Sequence, residues 1–361
     1  MLGKKRRIAV MAEGSFTPMD AKTALGVIRY RPDEVVAVVD SVRAGRTAAD
    51  CVGIGGDIPV VASLSDAARF SPDALLIGIA PQGGGLPASW HAVVADALTR
   101  GWDVFSGLHA FLADDPALAA LAAAHGGTIH DVRRPPAARP IAARRVLGCD
   151  ALVVLTVGTD CNVGKMTTAL EVHAELQSRG VRSAFVATGQ TGILVADAGA
   201  AIDAVPADFV AGVVERLVLD AAQEADVVIV EGQGAIHHPA YSGVTLSLMH
   251  GACPDVLILC HQAGRTHMKL SDAAPAPKLG SLSQILRDNE RAAGWLRPAP
   301  VLALSLNTML LDEAGAKRAL ENAHKLTGLP TVDPVRYGTE VIATELLRRL
   351  DERQRRKNGE D

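Results

Sequence analysis

The stretch LTVGTDCNVGKMTTALEV, residues 155–172, carries the features of a phosphate-binding loop. An apolar strand runs into a glycine-containing turn from Gly158 to Gly164, and Lys165 then begins a helix. In such a turn, successive backbone N–H groups and the helix N-terminus form a cradle for phosphate oxygens, and the lysine adds a positive charge. The sequence therefore predicts an anion-binding site over residues 158–168.

One residue departs from the usual loop. Met166 occupies the place where nucleotide-hydrolysing enzymes put the Ser or Thr that holds magnesium. A thioether is a poor ligand for this hard cation, so metal-dependent phosphoryl transfer is disfavoured unless Thr167 or Thr168 substitutes. A phosphate-bearing carrier such as CoA could use the same cradle without a metal.

Composition narrows the class of protein. The chain has 361 residues, of which 48% are hydrophobic, and its apolar runs are shorter than the roughly 20 residues of a membrane span. A net charge of -4 gives no general attraction to nucleic acid or to a membrane surface. Five scattered cysteines argue against disulfides or a zinc site. We expect a cytoplasmic protein that binds a small-molecule substrate, forms a homo-oligomer and holds no metal.

Strand-like and helical stretches alternate along the chain, which predicts an α/β protein with parallel sheets. The Pro- and Arg-rich run RRPPAARPIAARR, residues 133–145, reads as a connector. It separates a Rossmann-like N-terminal domain, residues 1–138, from a P-loop-containing C-terminal domain, residues 146–361. Asp40 ends the second strand, where such sheets place an acid on a ribose, but no Gly-x-Gly-x-x-Gly precedes it, so a helix-cap or turn role stays open.

The C-terminal domain resembles dethiobiotin synthetase and its relatives in the P-loop superfamily. The resemblance rests on GTDCNVGKMTT, on VVIVEGQGA with Glu231 at a strand end, on ATGQTGI, and on LALSLNT with Asn307. It implies a P-loop fold, and it places Asn307 where relatives contact a purine. The donor-binding residues assigned on this basis are Gly158, Thr159, Asp160, Asn162, Gly164, Lys165, Thr167, Thr168 and Asn307.

The whole chain is similar to a more specific family, which was long described as a domain of unknown function and now includes D-glutamate N-acetyltransferase. The matching segments are KTALGVIRY, GTDCNVGKMTT, ATGQTGI, DAVPADFVAG, VEGQGAIHHPAYSGVTL and CHQAGRTH. The resemblance implies acetyl-CoA as the donor and an acidic D-amino acid, D-glutamate above all, as the acceptor.

Acetyl transfer to an amine needs a base and positive charge for the acceptor carboxylates. Glu231 follows the apolar VVIV, where a carboxylate is costly without a partner or a task, and His237 or His238 lies in the next loop. We therefore predict Glu231, His237 and His238 as catalytic candidates, although the histidines could simply shape the loop. Arg265 is predicted to bind a carboxylate, with a surface role equally open, and Gln190 and Thr191 are assigned to the acceptor.

Two other functions compete with acetyl transfer. An ATP- and magnesium-dependent ligase of the dethiobiotin synthetase type would use the same loop and Glu231, so ATP with magnesium is not excluded as a cofactor. A non-catalytic nucleotide-binding protein would bind without product. The three differ in the ligand that they require.

Overall fold

The structure is a computed structural model that describes residues 5–79, 84–270 and 275–358. Within these residues the strands are β1 (Ile8–Met11), β2 (Val35–Val39), β3 (Val60–Val61), β4 (Ala74–Ile77), β5 (Asp103–Ser106), β6 (Ile129–Asp131), β7 (Leu152–Gly158), β8 (Ser183–Val186), β9 (Val227–Val230), β10 (Val256–Gln262), β11 (Val301–Asn307) and β12 (Thr331–Val332).

The α-helices are α1 (Lys22–Tyr30), α2 (Ala48–Val52), α3 (Leu64–Ala67), α4 (Ala88–Thr99), α5 (Pro116–His125), α6 (Lys165–Ser178), α7 (Gln190–Ala196), α8 (Ala207–Ala221), α9 (Ser242–Ala252), α10 (Leu282–Ala293), α11 (Glu313–Thr327), α12 (Pro334–Tyr337) and α13 (Glu340–Asn358). In the part of the chain that the structure describes, no helix combines the length and apolarity that a membrane span requires.

The elements form two compact units, residues 1–135 with 189–204, and residues 136–188 with 205–361. The domain limits of 1–138 and 146–361 stay a prediction. Each unit contains one six-stranded sheet in which every neighbouring pair of strands is parallel. Strands such as β9, with the sequence VVIV, are buried throughout because helices cover both faces of such a sheet. The α/β class is therefore confirmed.

The sheet of the first unit has the order β3-β2-β1-β4-β5-β6, which is the order of the Rossmann fold. Asp40 lies just beyond β2 and is fully buried. Its carboxylate accepts hydrogen bonds from the backbone N–H groups of Gly14, Phe16 and Val42, at 3.0–3.3 Å, and pairs with Arg43 at 3.0 Å. The ribose role is thus not supported, because this carboxylate already holds the turn after β1.

The segment 189–204 follows β8 of the second sheet in sequence but belongs to the first unit, where α7 packs against α1. The Thr191 hydroxyl lies 3.1 Å from that of Thr23, and the Gln190 side-chain carbonyl accepts a 2.8 Å hydrogen bond from Arg133. Packing of α7 on α1 thus gives both side chains partners within the N-terminal unit, and acceptor binding by Gln190 and Thr191 stays a prediction.

The sheet of the second unit has the order β12-β11-β10-β7-β9-β8. Strand β7 therefore lies between β9 and β10, and the loops that follow these three strands emerge side by side. Its core is formed by β-branched and leucine side chains that include Val154, Val172, Ile229 and Leu346. This topology explains how residues separated by more than a hundred positions in sequence come together at one sheet edge.

The predicted connector lies against α8. A Cβ atom at Gly212 would be 1.8 Å from the Pro140 carbonyl oxygen, so only glycine allows this approach. The buried Glu215 carboxylate accepts hydrogen bonds from the backbone N–H groups of Ala143 and Arg145 and from the Arg145 guanidinium. Residues 140–145 of the connector are therefore fixed to α8 by specific contacts.

Candidate functional site

The predicted phosphate loop joins the fully buried β7 to α6. Gly164, directly before the helix, has φ of 107°, and Asn162 has φ of 54°. A Cβ at Gly164 would meet no protein atom within 4 Å, so the left-handed backbone conformation is what requires glycine there. This conformation turns the chain into the helix and leaves the amides of its first turn at the loop.

Lys165 is buried, and its Nζ donates a 2.8 Å hydrogen bond to the carbonyl oxygen of Asp160 in the same loop. Two glycines make room for it. A Cβ at Gly158 would lie 2.9 Å from Nζ, and one at Gly232, after β9, would lie 3.2 Å from Cδ and 1.6 Å from the Thr156 carbonyl oxygen. Lys165 thus lies between the phosphate loop and the segment that carries Glu231.

Asp160 holds the loop together. Its side chain is completely buried, and Oδ1 accepts the backbone N–H of Cys161 at 2.7 Å. Oδ2 accepts the Arg265 guanidinium and the backbone N–H of Lys269, each at 2.8 Å. A buried carboxylate is stable only with such partners. The loop after β10 is therefore bound to the loop after β7 through one side chain.

Arg265 was expected to bind an acceptor carboxylate. In the structure its Nη1 donates to Asp160 Oδ2 and to the Cys161 carbonyl oxygen, the latter at 2.7 Å, while Nη2 donates to Gln262. The side chain is only 16% exposed. These contacts show that Arg265 braces the phosphate loop, because the buried Asp160 carboxylate requires a cation nearby, and they give the predicted binding of an acceptor carboxylate no support.

Glu231 follows β9, the strand beside β7, and is buried. Its Oε2 accepts the backbone N–H of Thr188 at 3.0 Å, and its carbonyl oxygen accepts the Thr188 hydroxyl at 2.8 Å. Gln233 donates to the same hydroxyl at 3.3 Å. The sequence prediction thus placed Glu231 correctly at the sheet edge, next to the phosphate loop.

The adjacent histidines His237 and His238 differ in their exposure to solvent. The ring of His238 is 1% exposed; its Nδ1 accepts the N–H of Ala240, and its Nε2 donates to the carbonyl oxygen of Lys269, both at 3.2 Å. Both ring nitrogens of the neutral tautomer are therefore used by the backbone. His238 also stacks on Tyr241. This arrangement argues against His238 as a proton acceptor and for a structural role in the loop.

His237 lies on the surface, and its Nε2 is 3.0 Å from Asp288 Oδ2 on α10. The Gln284 amide donates to both oxygens of Asp288, and this hydrogen bond lowers the pKa of that carboxyl. In the tautomer that donates from Nε2 to Asp288, Nδ1 carries a lone pair. Sequence reasoning missed Asp288, since nothing in the primary structure pairs positions 51 residues apart.

Thr159 and Asn307, two of the residues predicted to bind the donor, form hydrogen bonds within the second unit. Thr159 is buried, and its hydroxyl lies 2.8 Å from Nδ1 of His261. Burial, and to a smaller extent the Arg265 charge, lowers the pKa of His261 to about 4, so this ring is neutral at pH 7. The Asn307 side-chain carbonyl accepts the backbone N–H of Met309 at 3.0 Å, which leaves its amide group for another partner.

The hydroxyls offered as replacements for the missing magnesium ligand are not equivalent. Thr168 is fully buried, and its hydroxyl bonds to the Gly164 carbonyl oxygen and to Ser305. It therefore points into the core and not toward a ligand of the loop. Thr167 and Met166 are both half-buried. Of the two threonines, Thr167 alone stays compatible with a position facing an anion.

One group of side chains in the described residues has the spacing of a metal site: ligand atoms of Asp160, Cys161 and His238 lie within 4.8 Å of one another. Sequence reasoning did not foresee this group, since His238 is remote in sequence. The guanidinium of Arg265 on Asp160 and the use of His238 Nε2 by a backbone carbonyl both oppose a cation there. The donor set therefore fits a structural cluster better than a metal.

Comparisons with known proteins match both domains to the same family. Residues 140–343 match the family model described as "Domain of unknown function (DUF1611_C) P-loop domain", and residues 41–135 match its "Rossmann-like domain" (DUF1611_N). Two curated proteins named D-glutamate N-acetyltransferase are similar. That of Tritonibacter scottomollicae is 41% identical over 88% of this chain and 91% of its own, and that of a Pseudoalteromonas species is 36% identical over 79% and 84%.

A solved structure is also similar. The crystal structure of a DUF1611 family protein from Anabaena variabilis has a TM-score of 0.90 and 39% sequence identity. The match covers 95% of this chain and 99% of that chain. The pairing of a Rossmann-like and a P-loop domain in one chain is therefore shared with this protein.

The role of Arg265 predicts a stability effect. Arg265→Ala leaves the Asp160 carboxylate buried without its guanidinium, and we expect a loss of about 3–5 kcal/mol in the free energy of unfolding. The matched control is Arg216→Ala, which removes an exposed pair with Asp220 and should change stability by less than about 1 kcal/mol. Urea unfolding measures both. Equal, small effects would show that Arg265 does not brace the loop.

Proposed function

This chain belongs to the DUF1611 family and is an N-acetyltransferase, and we propose that it transfers the acetyl group of acetyl-CoA to the amino group of an acidic D-amino acid, D-glutamate above all. The observation that carries the proposal is the similarity to two proteins named D-glutamate N-acetyltransferase over most of both chains. The second unit supports it with an anion cradle beside a buried glutamate.

The donor would be held by its phosphates. The glycine turn that ends at Gly164, the first amides of α6 and the ammonium of Lys165 suit phosphate oxygens. Met166 at the usual magnesium-ligand position and the core-facing Thr168 hydroxyl disfavour a magnesium-dependent use of this loop. The residues present therefore fit a carrier whose phosphates are bound without a metal.

The reaction needs one proton acceptor. The acceptor nitrogen loses its ammonium proton to a base and attacks the thioester carbonyl carbon. A C–N bond forms, the C–S bond breaks, and CoA leaves as a thiolate that takes up a proton. His237 and Glu231 are the candidates for the base, because His238 has both ring nitrogens occupied. His237 is favoured, since Asp288 orients its ring and Nδ1 keeps a lone pair.

A second function retains one specific observation in its favour. An ATP- and magnesium-dependent ligase would also use a Gly-Lys pair such as Gly164–Lys165, with an acid such as Glu231 directly after the neighbouring strand. The two functions differ in metal and nucleotide, so one assay separates them.

We predict that the purified protein releases CoA from acetyl-CoA when D-glutamate is added, and that excess EDTA leaves the rate unchanged because no metal holds the phosphates. Free thiol is measured with a chromogenic reagent, and L-glutamate and D-aspartate serve as comparison acceptors. The proposal fails if none of these acceptors causes CoA release. An activity that requires ATP and magnesium would support the ligase instead.

Variants of the candidate bases should differ in turnover. If His237 is the base, His237→Asn lowers kcat by about two to four orders of magnitude, whereas the KM for acetyl-CoA changes little. Glu231→Gln gives the same result if the buried carboxylate takes the proton. His91→Asn is the matched control, because His91 forms a comparable surface pair with Asp115 in the other unit. Wild-type turnover in both the His237 and Glu231 variants would place catalysis elsewhere.

A further inference from the structure

An acidic acceptor needs a positive charge near the phosphate loop, where Lys165 is assigned to the donor phosphates and Arg265 is bonded to the loop itself. Lys165 Nζ donates to the Asp160 carbonyl oxygen, and the Arg265 guanidinium is bonded to Asp160, Cys161 and Gln262. Releasing Arg265 would leave a buried carboxylate without its partner, which is costly. The carboxylate of a substrate must therefore find another cation at this edge of the sheet.

Lys269 is brought to the loop by its backbone. Its N–H donates to Asp160 Oδ2 at 2.8 Å, and its carbonyl oxygen accepts from His238 Nε2 at 3.2 Å. Asp160 belongs to the phosphate loop and His238 to the loop after β9, so Lys269 is held where the two loops meet. Both partners are fully or almost fully buried, which fixes the position of its backbone.

The side chain of Lys269 is exposed, in contrast to that backbone. No ion pair or hydrogen bond of its ammonium with any described residue is present, whereas Lys5, Lys317 and Lys325 each lie within 4.0 Å of an acid. A lysine ammonium is a mobile point charge on a flexible stem. Here its attachment point is fixed, and no acid among the described residues pairs with its charge.

On the basis of the proposed function, we propose that the Lys269 ammonium binds a carboxylate of the acidic acceptor. The charges around the loop favour this: Lys165, Arg265 and Lys269 each donate a hydrogen bond to Asp160, so three cationic residues are attached to the loop at one buried aspartate. Lys165 serves the phosphates of the donor, and Lys269 serves the acceptor. A contact of Lys269 with a donor phosphate is the alternative that the experiment must exclude.

The test is steady-state kinetics on Lys269→Met, which keeps an unbranched stem and both backbone hydrogen bonds but removes the charge. We expect the KM for D-glutamate to rise about tenfold to a hundredfold, as for the loss of one charged hydrogen bond, with the KM for acetyl-CoA unchanged. Lys269→Arg should restore part of the affinity. Lys278→Met is the matched control, because Lys278 is another exposed lysine of the same loop, and it should match wild type.

Calorimetry of D-glutamate binding in the presence of CoA gives a readout that does not depend on turnover. Weaker D-glutamate binding by Lys269→Met alone supports the inference. Unchanged binding and KM, or a rise in the KM for acetyl-CoA instead, overturns it while the acetyltransferase activity of the wild type stands. If the wild type neither binds D-glutamate nor releases CoA with it, the proposed function and this inference both fail.

Discussion

The second unit depends on the burial of one carboxylate. Asp160 receives hydrogen bonds from its own loop, from the Arg265 guanidinium and from the backbone of Lys269, and it is fully removed from solvent. A carboxylate in that position is costly unless such partners compensate its charge. The phosphate loop and the loop after β10 are consequently one structural element, and the shape of the anion cradle depends on both.

The first unit uses a buried aspartate in a similar way. Asp40 binds the turn after β1 through the backbone N–H groups of Gly14 and Phe16, so a position that Rossmann folds often give to a cofactor ribose is structural here. Both units thus use a carboxylate at a sheet edge to hold a loop. In the second unit the held loop ends at Gly164 and leads into α6, which begins at Lys165.

Much of the fold could be predicted from sequence, because parallel strands and their helices leave strong local patterns, and the loop 158–165 is a local motif. Contacts between residues that are distant in sequence could not be predicted. The sequence does not indicate the bond between Arg265 and Asp160, because the two lie 105 positions apart. For the same reason it does not indicate the contacts of Asp288 and Lys269. The sequence also does not indicate that α7 belongs to the first unit, because α7 directly follows β8 of the second sheet along the chain.

The central claim is that this loop binds the phosphates of the acetyl donor without a metal. Isothermal titration of acetyl-CoA into the wild type and into Lys165→Ala, both in excess EDTA, tests it most directly. We predict binding by the wild type and a loss of about tenfold to a few hundredfold in the variant, the effect of removing one lysine–phosphate contact. Equal affinities in the two proteins, or wild-type binding that appears only when magnesium is restored, would contradict the account.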